Sequence, residues 1–173
     1  MENRPFSEVL QEAIDNGFTE PDPREDLCGN DVGRKLLILA RELDLQNEFE
    51  EIQIRNLIPE NLRAGNAAAF LTRTKELDSI YDELKAAQKP NHVLRYIGEL
   101  SGDLQQDKGN LEVKLVSVPS DSALGQLKGS DSIFEIYTDS YGDRPIVIQG
   151  AGAGASVTAR GVFGDILRLS EKK

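Results

Sequence analysis

Apolar positions recur at helical spacing in the first half of the chain and alternate in the second. In residues 5–16, PFSEVLQEAIDN, the side chains of Phe6, Val9, Leu10, Ala13 and Ile14 share one face, and Gly17 closes the predicted helix. Residues 31–43 predict a second helix with Val32, Leu36, Leu39, Ala40 and Leu43 as its stripe. Asp26 or Asn30 is placed to cap it, because a short side-chain oxygen accepts from the free amides of a first turn. Segment 48–59, EFEEIQIRNLIP, alternates and predicts a strand that turns at Pro59. Residues 66–88 predict a long helical stretch broken near Thr72–Thr74, with Phe70, Leu77, Ile80, Tyr81 and Leu84 on its apolar face. Beyond Pro90 the period shortens to two. VLRYIGEL (93–100), EVKLVSV (112–118), SIFEIYTDS (132–140) and PIVIQG (145–150) predict four strands. The segments between them predict a sheet built mainly from hairpins. GAGAGASVTARGVFGDILRL then predicts a glycine-rich turn and a helix over about 156–170. Helices first and strands afterwards imply an α+β fold, a mixed and largely hairpin-built sheet with helices packed on one face.

The candidate chemistry lies in FTEPDPREDLCGND, residues 18–31, with two prolines and five carboxylates: Glu20, Asp22, Glu25, Asp26 and Asp31. A residue before proline is pushed toward extended backbone, so this segment reads as a loop feeding the second helix. Asp31 and Lys35 stand four apart and share a helix face beside the apolar stripe. Such a pair is commonly a surface ion pair worth a few tenths of a kcal/mol. The spacing alone therefore leaves two readings open. One is structural. The other is a stiff acidic loop that holds a small cationic group next to a proton-transfer residue.

Composition narrows the field. The 173 residues, 39% hydrophobic and 29% charged, can bury a real core. A net charge of −10 argues against nucleic acid and anionic membranes as partners. No apolar run approaches the roughly 20 residues of a membrane span, and MENRPFSEVLQEA is no signal peptide. The single cysteine, Cys28, rules out an internal disulfide framework and points to a reducing, cytoplasmic compartment. No general base is recognisable beside Cys28, so it is read as structural. His92 is the single histidine, and neither CxxC nor HExxH is present, so no metal site is expected. The acidic loop also lacks the ligand spacing of a calcium loop.

GFTEPDPREDLCGNDVGRKLLILAREL closely resembles the signature of the homoserine dehydrogenases. The resemblance continues through VLRYIGEL, LVSVPSDSALGQLKGSD and PIVIQGAGAGASVTARGVFGDIL, in order and over nearly the whole chain. It implies a small-molecule substrate and the reversible reduction of aspartate 4-semialdehyde to L-homoserine with NADPH or NADH. It carries the family's substrate-binding glutamate to Glu20, an acidic homoserine-binding residue to Asp26, the catalytic aspartate and lysine to Asp31 and Lys35, and a cofactor-contacting glycine to Gly154. The match departs from the usual pattern at Glu25, Cys28, Gly33 and Arg160, and none of these is a proposed catalytic group. Gly33, where alanine is usual, is expected to weaken its helix by about 1 kcal/mol.

A hydride-transfer enzyme must bind a dinucleotide, and the Rossmann fingerprint is missing here. GAGAG at 150–154 precedes a helix but lacks the following strand and ribose-binding acid. The resemblance therefore implies that residues 1–150 form a substrate-binding, catalytic and dimerisation domain, and that residues 151–173 return to a nucleotide-binding domain expected before residue 1. On that view the piece is inactive alone and forms a homodimer through its sheet. The alternative is a non-catalytic dimerisation module of the parent enzyme.

Overall fold

The computed structural model describes residues 4–152 and 154–171, which form an α+β fold. The chain divides into two compact units, Met1–Pro119 and Ser120–Lys173.

The first unit has two apolar cores. Helix α1 (Phe6–Asp15) ends in a Schellman motif, with Gly17 at φ 69° and its successor's amide, Phe18 N, donating to Ala13 O at 2.9 Å. The predicted break in the 66–88 stretch separates α5 (Ala67–Leu71) from α6 (Glu76–Ala86), both lying beyond a short α4 (Glu60–Arg63). Asn66 caps α5 by accepting from Ala69 N at 2.9 Å. Leu10, Ile58, Leu62, Phe70, Leu77 and Tyr81 bury themselves together. The Phe6 and Tyr81 rings stack at 3.8 Å, and Ser7 donates its amide and hydroxyl to Asp78 at 2.7 and 2.8 Å, fixing α1 on α6.

The second core lies between α3 (Asn30–Glu42) and a three-stranded sheet. In that sheet β2 (His92–Ser101) pairs antiparallel with β3 (Asn110–Pro119), and β3 pairs parallel with the two-residue β1 (Gln53–Ile54). Tyr96, Gly98 and Leu100 of β2 stand opposite Leu115, Val113 and Leu111 of β3, and this face meets Leu36, Leu37 and Ala40 of α3. Gly98 admits the helix closely: a β-carbon there would lie 3.1 Å from Val32 Cγ1.

Three expectations are corrected in this unit. The predicted strand 48–59 is reduced to β1, because Phe49–Glu51 winds into a 3-10 turn locked by Glu51, whose carboxylate accepts from Glu48 N at 2.9 Å. Phe49 and Ile52, three apart, thereby reach the same core. The loop 18–31 contains a one-turn helix, α2 (Arg24–Leu27), which starts directly after Pro23, where a missing amide costs nothing. Neither Asp26 nor Asn30 caps α3. Its N-cap is Gly29 at φ 84°. Gly33 is buried against Ile54 and Phe49, where a β-carbon would meet Cδ1 at 3.0 Å and Cε2 at 3.2 Å. The close packing of β1 on α3 thus offsets the helix propensity lost at this position.

The second unit holds the hairpin strands β4 (Asp131–Ile136) and β5 (Ile146–Ala151), paired antiparallel, and helix α7 (Ala155–Glu171). The predicted strands are thus shared between two sheets. Phe134, Ile148, Phe163 and Ile166 are all exposed. No described helix is long and apolar enough to cross a membrane.

Candidate active site

The acidic loop sits where the two cores of the first unit meet. Leu27 of α2 packs on the helical core, while α3 packs on the sheet. Leu27 O accepts from Leu57 N at 3.0 Å, and Tyr96 Oη donates to Arg55 O at 2.8 Å. Burial pushes the Tyr96 hydroxyl up to about 12, so it serves as a neutral donor. Gly29 crosses directly under this hydroxyl, close enough that a β-carbon would collide with it.

The loop sorts its carboxylates. Asp22 receives the fork of Arg24, with Nη2 to Oδ2 at 2.6 Å and Nε to Oδ1 at 2.9 Å. This charge-assisted bond holds the Asp22 carboxyl below its usual range. Glu25 pairs with Arg34 at 2.9 Å. Asp31 pairs with Lys35 at 2.8 Å, one helical turn along α3, with the lysine side chain 69% exposed and the aspartate 28%. Glu20 and Asp26 have no basic partner within 4 Å among the described residues. Instead Asp26 Oδ2 accepts from the Glu20 amide at 3.0 Å, which brings these two carboxyl-bearing residues together six positions apart. Burial pushes the Asp26 carboxyl up, the Glu20 amide partly opposes this, and the charges of Asp31 and Glu20 push it further up.

The structure therefore gathers Glu20, Asp26 and Asp31 into one electrostatic neighbourhood, with Lys35 attached through Asp31. Two uncompensated carboxyls beside an ammonium–carboxylate pair can hold a cationic group and supply a proton next to it. A cleft behind the loop is lined by Asp22, Arg24, Cys28, Asn56, Arg63 and Gly65. None of the four gathered residues lines it; Glu20 and Lys35 are exposed, and Asp26 and Asp31 are half-buried. Cys28 is a free thiol that donates to Glu25 O at 3.4 Å. Sequence reasoning missed Arg24. Its partners Arg63 O and Gly65 O, at 3.1 and 2.9 Å, lie 39 and 41 positions away, and no local spacing signals them.

Gly154 belongs to the second unit, where its carbonyl accepts from Val157 N at 3.0 Å and opens α7. Nothing lies within 4 Å of a β-carbon built there, which leaves room for a ligand to approach the backbone. Ala153 of the GAGAG turn lies outside the described residues. Among the described residues the parallel pairing is β1 with β3, and no strand–helix–strand nucleotide fold is present. The described residues thus fit a local contact to a dinucleotide and not its whole binding site.

The homoserine dehydrogenase family model matches residues 1–167. The chain belongs to the homoserine dehydrogenase family. It is 44% identical over 169 residues to a chloroplastic bifunctional aspartokinase/homoserine dehydrogenase 1 of Zea mays, covering 96% of this chain and 18% of that protein. It is 43% identical to the homoserine dehydrogenase of Emericella nidulans, covering 96% of this chain and 46% of that enzyme. A Candida auris protein of unknown function superposes with a TM-score of 0.79 at 36% identity, over 99% of this chain and 48% of that one. The chain thus spans less than half the length of these relatives.

The raised Asp26 carboxyl has a measurable consequence. Its charged form is disfavoured in the folded state, so its contribution to stability is intact below the ordinary value of 3.8 and is lost as pH rises through the folded one. Asp26→Asn keeps an acceptor for the Glu20 amide and removes that penalty. The variant is expected to melt higher than the parent at pH 7, with the difference closing toward pH 4. An equal gap at both pH values contradicts this assignment.

Proposed function

We propose that this chain supplies the substrate side of an NAD(P)H-dependent reduction of aspartate 4-semialdehyde to L-homoserine. The observation that carries the reading is the pairing of Glu20 with Asp26, two carboxyl groups without basic partners, next to the Asp31–Lys35 pair. An amino-acid substrate brings an ammonium group, and Glu20 and Asp26 receive it through charge-assisted hydrogen bonds. The nicotinamide cofactor supplies the hydride. As the aldehyde becomes an alkoxide, negative charge develops on its oxygen, and the Lys35 ammonium stabilises and protonates that atom. Asp31, at 2.8 Å, orients Lys35 and returns to it as counter-ion. In the reverse direction Lys35 accepts the alcohol proton.

A separate nucleotide-binding domain holds most of the cofactor, and Gly154 touches it from outside that fold. The isolated piece is accordingly inactive. The parent is a homodimer associated through this domain, and the single free thiol accords with the cytoplasm. The competing reading, a dimerisation module without catalytic residues, predicts that positions 20, 26, 31 and 35 tolerate replacement.

Glu20→Gln in the enzyme that joins this chain to its nucleotide-binding domain decides between them. The expected result is a KM for homoserine raised by about tenfold or more, as the loss of one charge-assisted bond to an ammonium implies. The cofactor KM stays unchanged. An unaltered homoserine KM supports the dimerisation module.

A further inference from the structure

We infer that Arg24 is a positioning residue for the amino-acid site, fastening the acidic loop to the α4–α5 turn so that Glu20 and Asp26 meet. The inference rests on the reading of Glu20 and Asp26 as an ammonium site, and it concerns a different residue of the loop. Among the described residues Arg24 is the most buried cation in the ion pairs of the loop, its side chain 17% exposed. Its guanidinium divides its donors between two directions. Nε and Nη2 bind both oxygens of Asp22, while Nη1 donates to Arg63 O at 3.1 Å and Gly65 O at 2.9 Å. Asp22 in turn accepts from the Arg24 amide at 3.1 Å, which closes the Asp22–Arg24 turn on itself.

Two consequences follow from this geometry. The carboxyl of Asp22 lies between Glu20 and Asp26 in sequence and would compete for the same ammonium. With Arg24 engaged on both its oxygens, the loop presents the carboxyls of Glu20 and Asp26 as the uncompensated ones. The planar fork also ties α2, which bears Asp26, to carbonyls some 40 positions away, at the end of α4. The Asp26–Glu20 amide bond forms across this braced turn. A lysine at position 24 supplies one point charge, without the fork that serves two carboxylate oxygens and two carbonyls together.

The test uses Arg24→Lys and Asp22→Asn, which break the fork from its two sides, in the enzyme joined to its nucleotide-binding domain. Steady-state kinetics with homoserine and oxidised cofactor are expected to show a homoserine KM raised by about tenfold in both variants, with kcat within about threefold and cofactor KM unchanged. That split marks lost ground-state positioning, which a general loosening of the fold does not produce. A homoserine KM within about twofold of the parent in either variant overturns the inference, and so does a joint rise of both KM values with a fall in kcat. Glu20→Gln is measured alongside. If it leaves the homoserine KM unmoved, the ammonium-site reading fails and takes this inference with it. If it raises that KM while Arg24→Lys does not, the positioning role alone is overturned.

Discussion

Lys35→Ala is expected to lower kcat by about a hundred- to ten-thousand-fold in the enzyme joined to its nucleotide-binding domain, the range over which positioned acid–base groups act. Lys35 sits on α3 one turn beyond Asp31 and is bonded to it at 2.8 Å. On the proposed mechanism, removing the ammonium leaves the growing alkoxide without a proton donor and leaves Asp31 as an uncompensated negative charge beside it. Both effects raise the barrier, and both act at the reacting oxygen, so cofactor affinity is expected to stay near that of the parent. Lys35 is mostly exposed, and its loss removes a surface ion pair that contributes at most about 1 kcal/mol to folding. A folded variant with a collapsed kcat is therefore the expected combination. Near-normal kcat removes Lys35 from the chemistry.

Gly29→Ala is expected to destabilise the fold by about 3 kcal/mol, the sum of a left-handed backbone for a residue with a β-carbon and an overpacked contact. Gly29 stands at φ 84°, and the added atom meets the Tyr96 hydroxyl and lies 2.8 Å from Ile54 Cγ2. These neighbours are fixed: Tyr96 donates to Arg55 O at 2.8 Å, and Ile54 packs against the core between α3 and the sheet. Relief requires α3 to move away from the sheet or Tyr96 to give up its acceptor. Because Gly29 is the N-cap of the helix that bears Asp31 and Lys35, the residual enzyme is also expected to lose activity. Urea unfolding with an unchanged slope and a lowered midpoint checks the stability claim. A midpoint equal to that of the parent contradicts it.

Much of the fold was legible because its elements carry their signals locally. The helical periods of α1 and α3 and the alternation in β2 and β3 each lie within one segment, although Leu39 and Leu43 of the stripe expected on α3 are exposed and Leu37 is buried instead. The segment 48–59 was not legible. Its Ile52–Gln53–Ile54 alternation suits a strand, while Phe49 to Glu51 turns on bonds between Glu48 and Glu51 that form only in the folded chain. The cap of α3 was misread for a related reason. Asp26 has the right chemistry for a cap, but its carboxyl is taken by the Glu20 amide. At the site, the Asp31–Lys35 pair followed from helical spacing. The separation of Asp22 and Glu25 from Glu20 and Asp26 did not, because it depends on which arginine reaches which carboxylate after folding.

The most direct test of the account replaces the matching segment of the Emericella nidulans homoserine dehydrogenase with residues 1–167 of this chain and follows NADPH consumption with aspartate 4-semialdehyde. The chimera is expected to turn over, and Lys35→Ala within it to abolish turnover while NADPH binding persists. A folded, NADPH-binding chimera with no turnover, or one that stays active after Lys35→Ala, would contradict it.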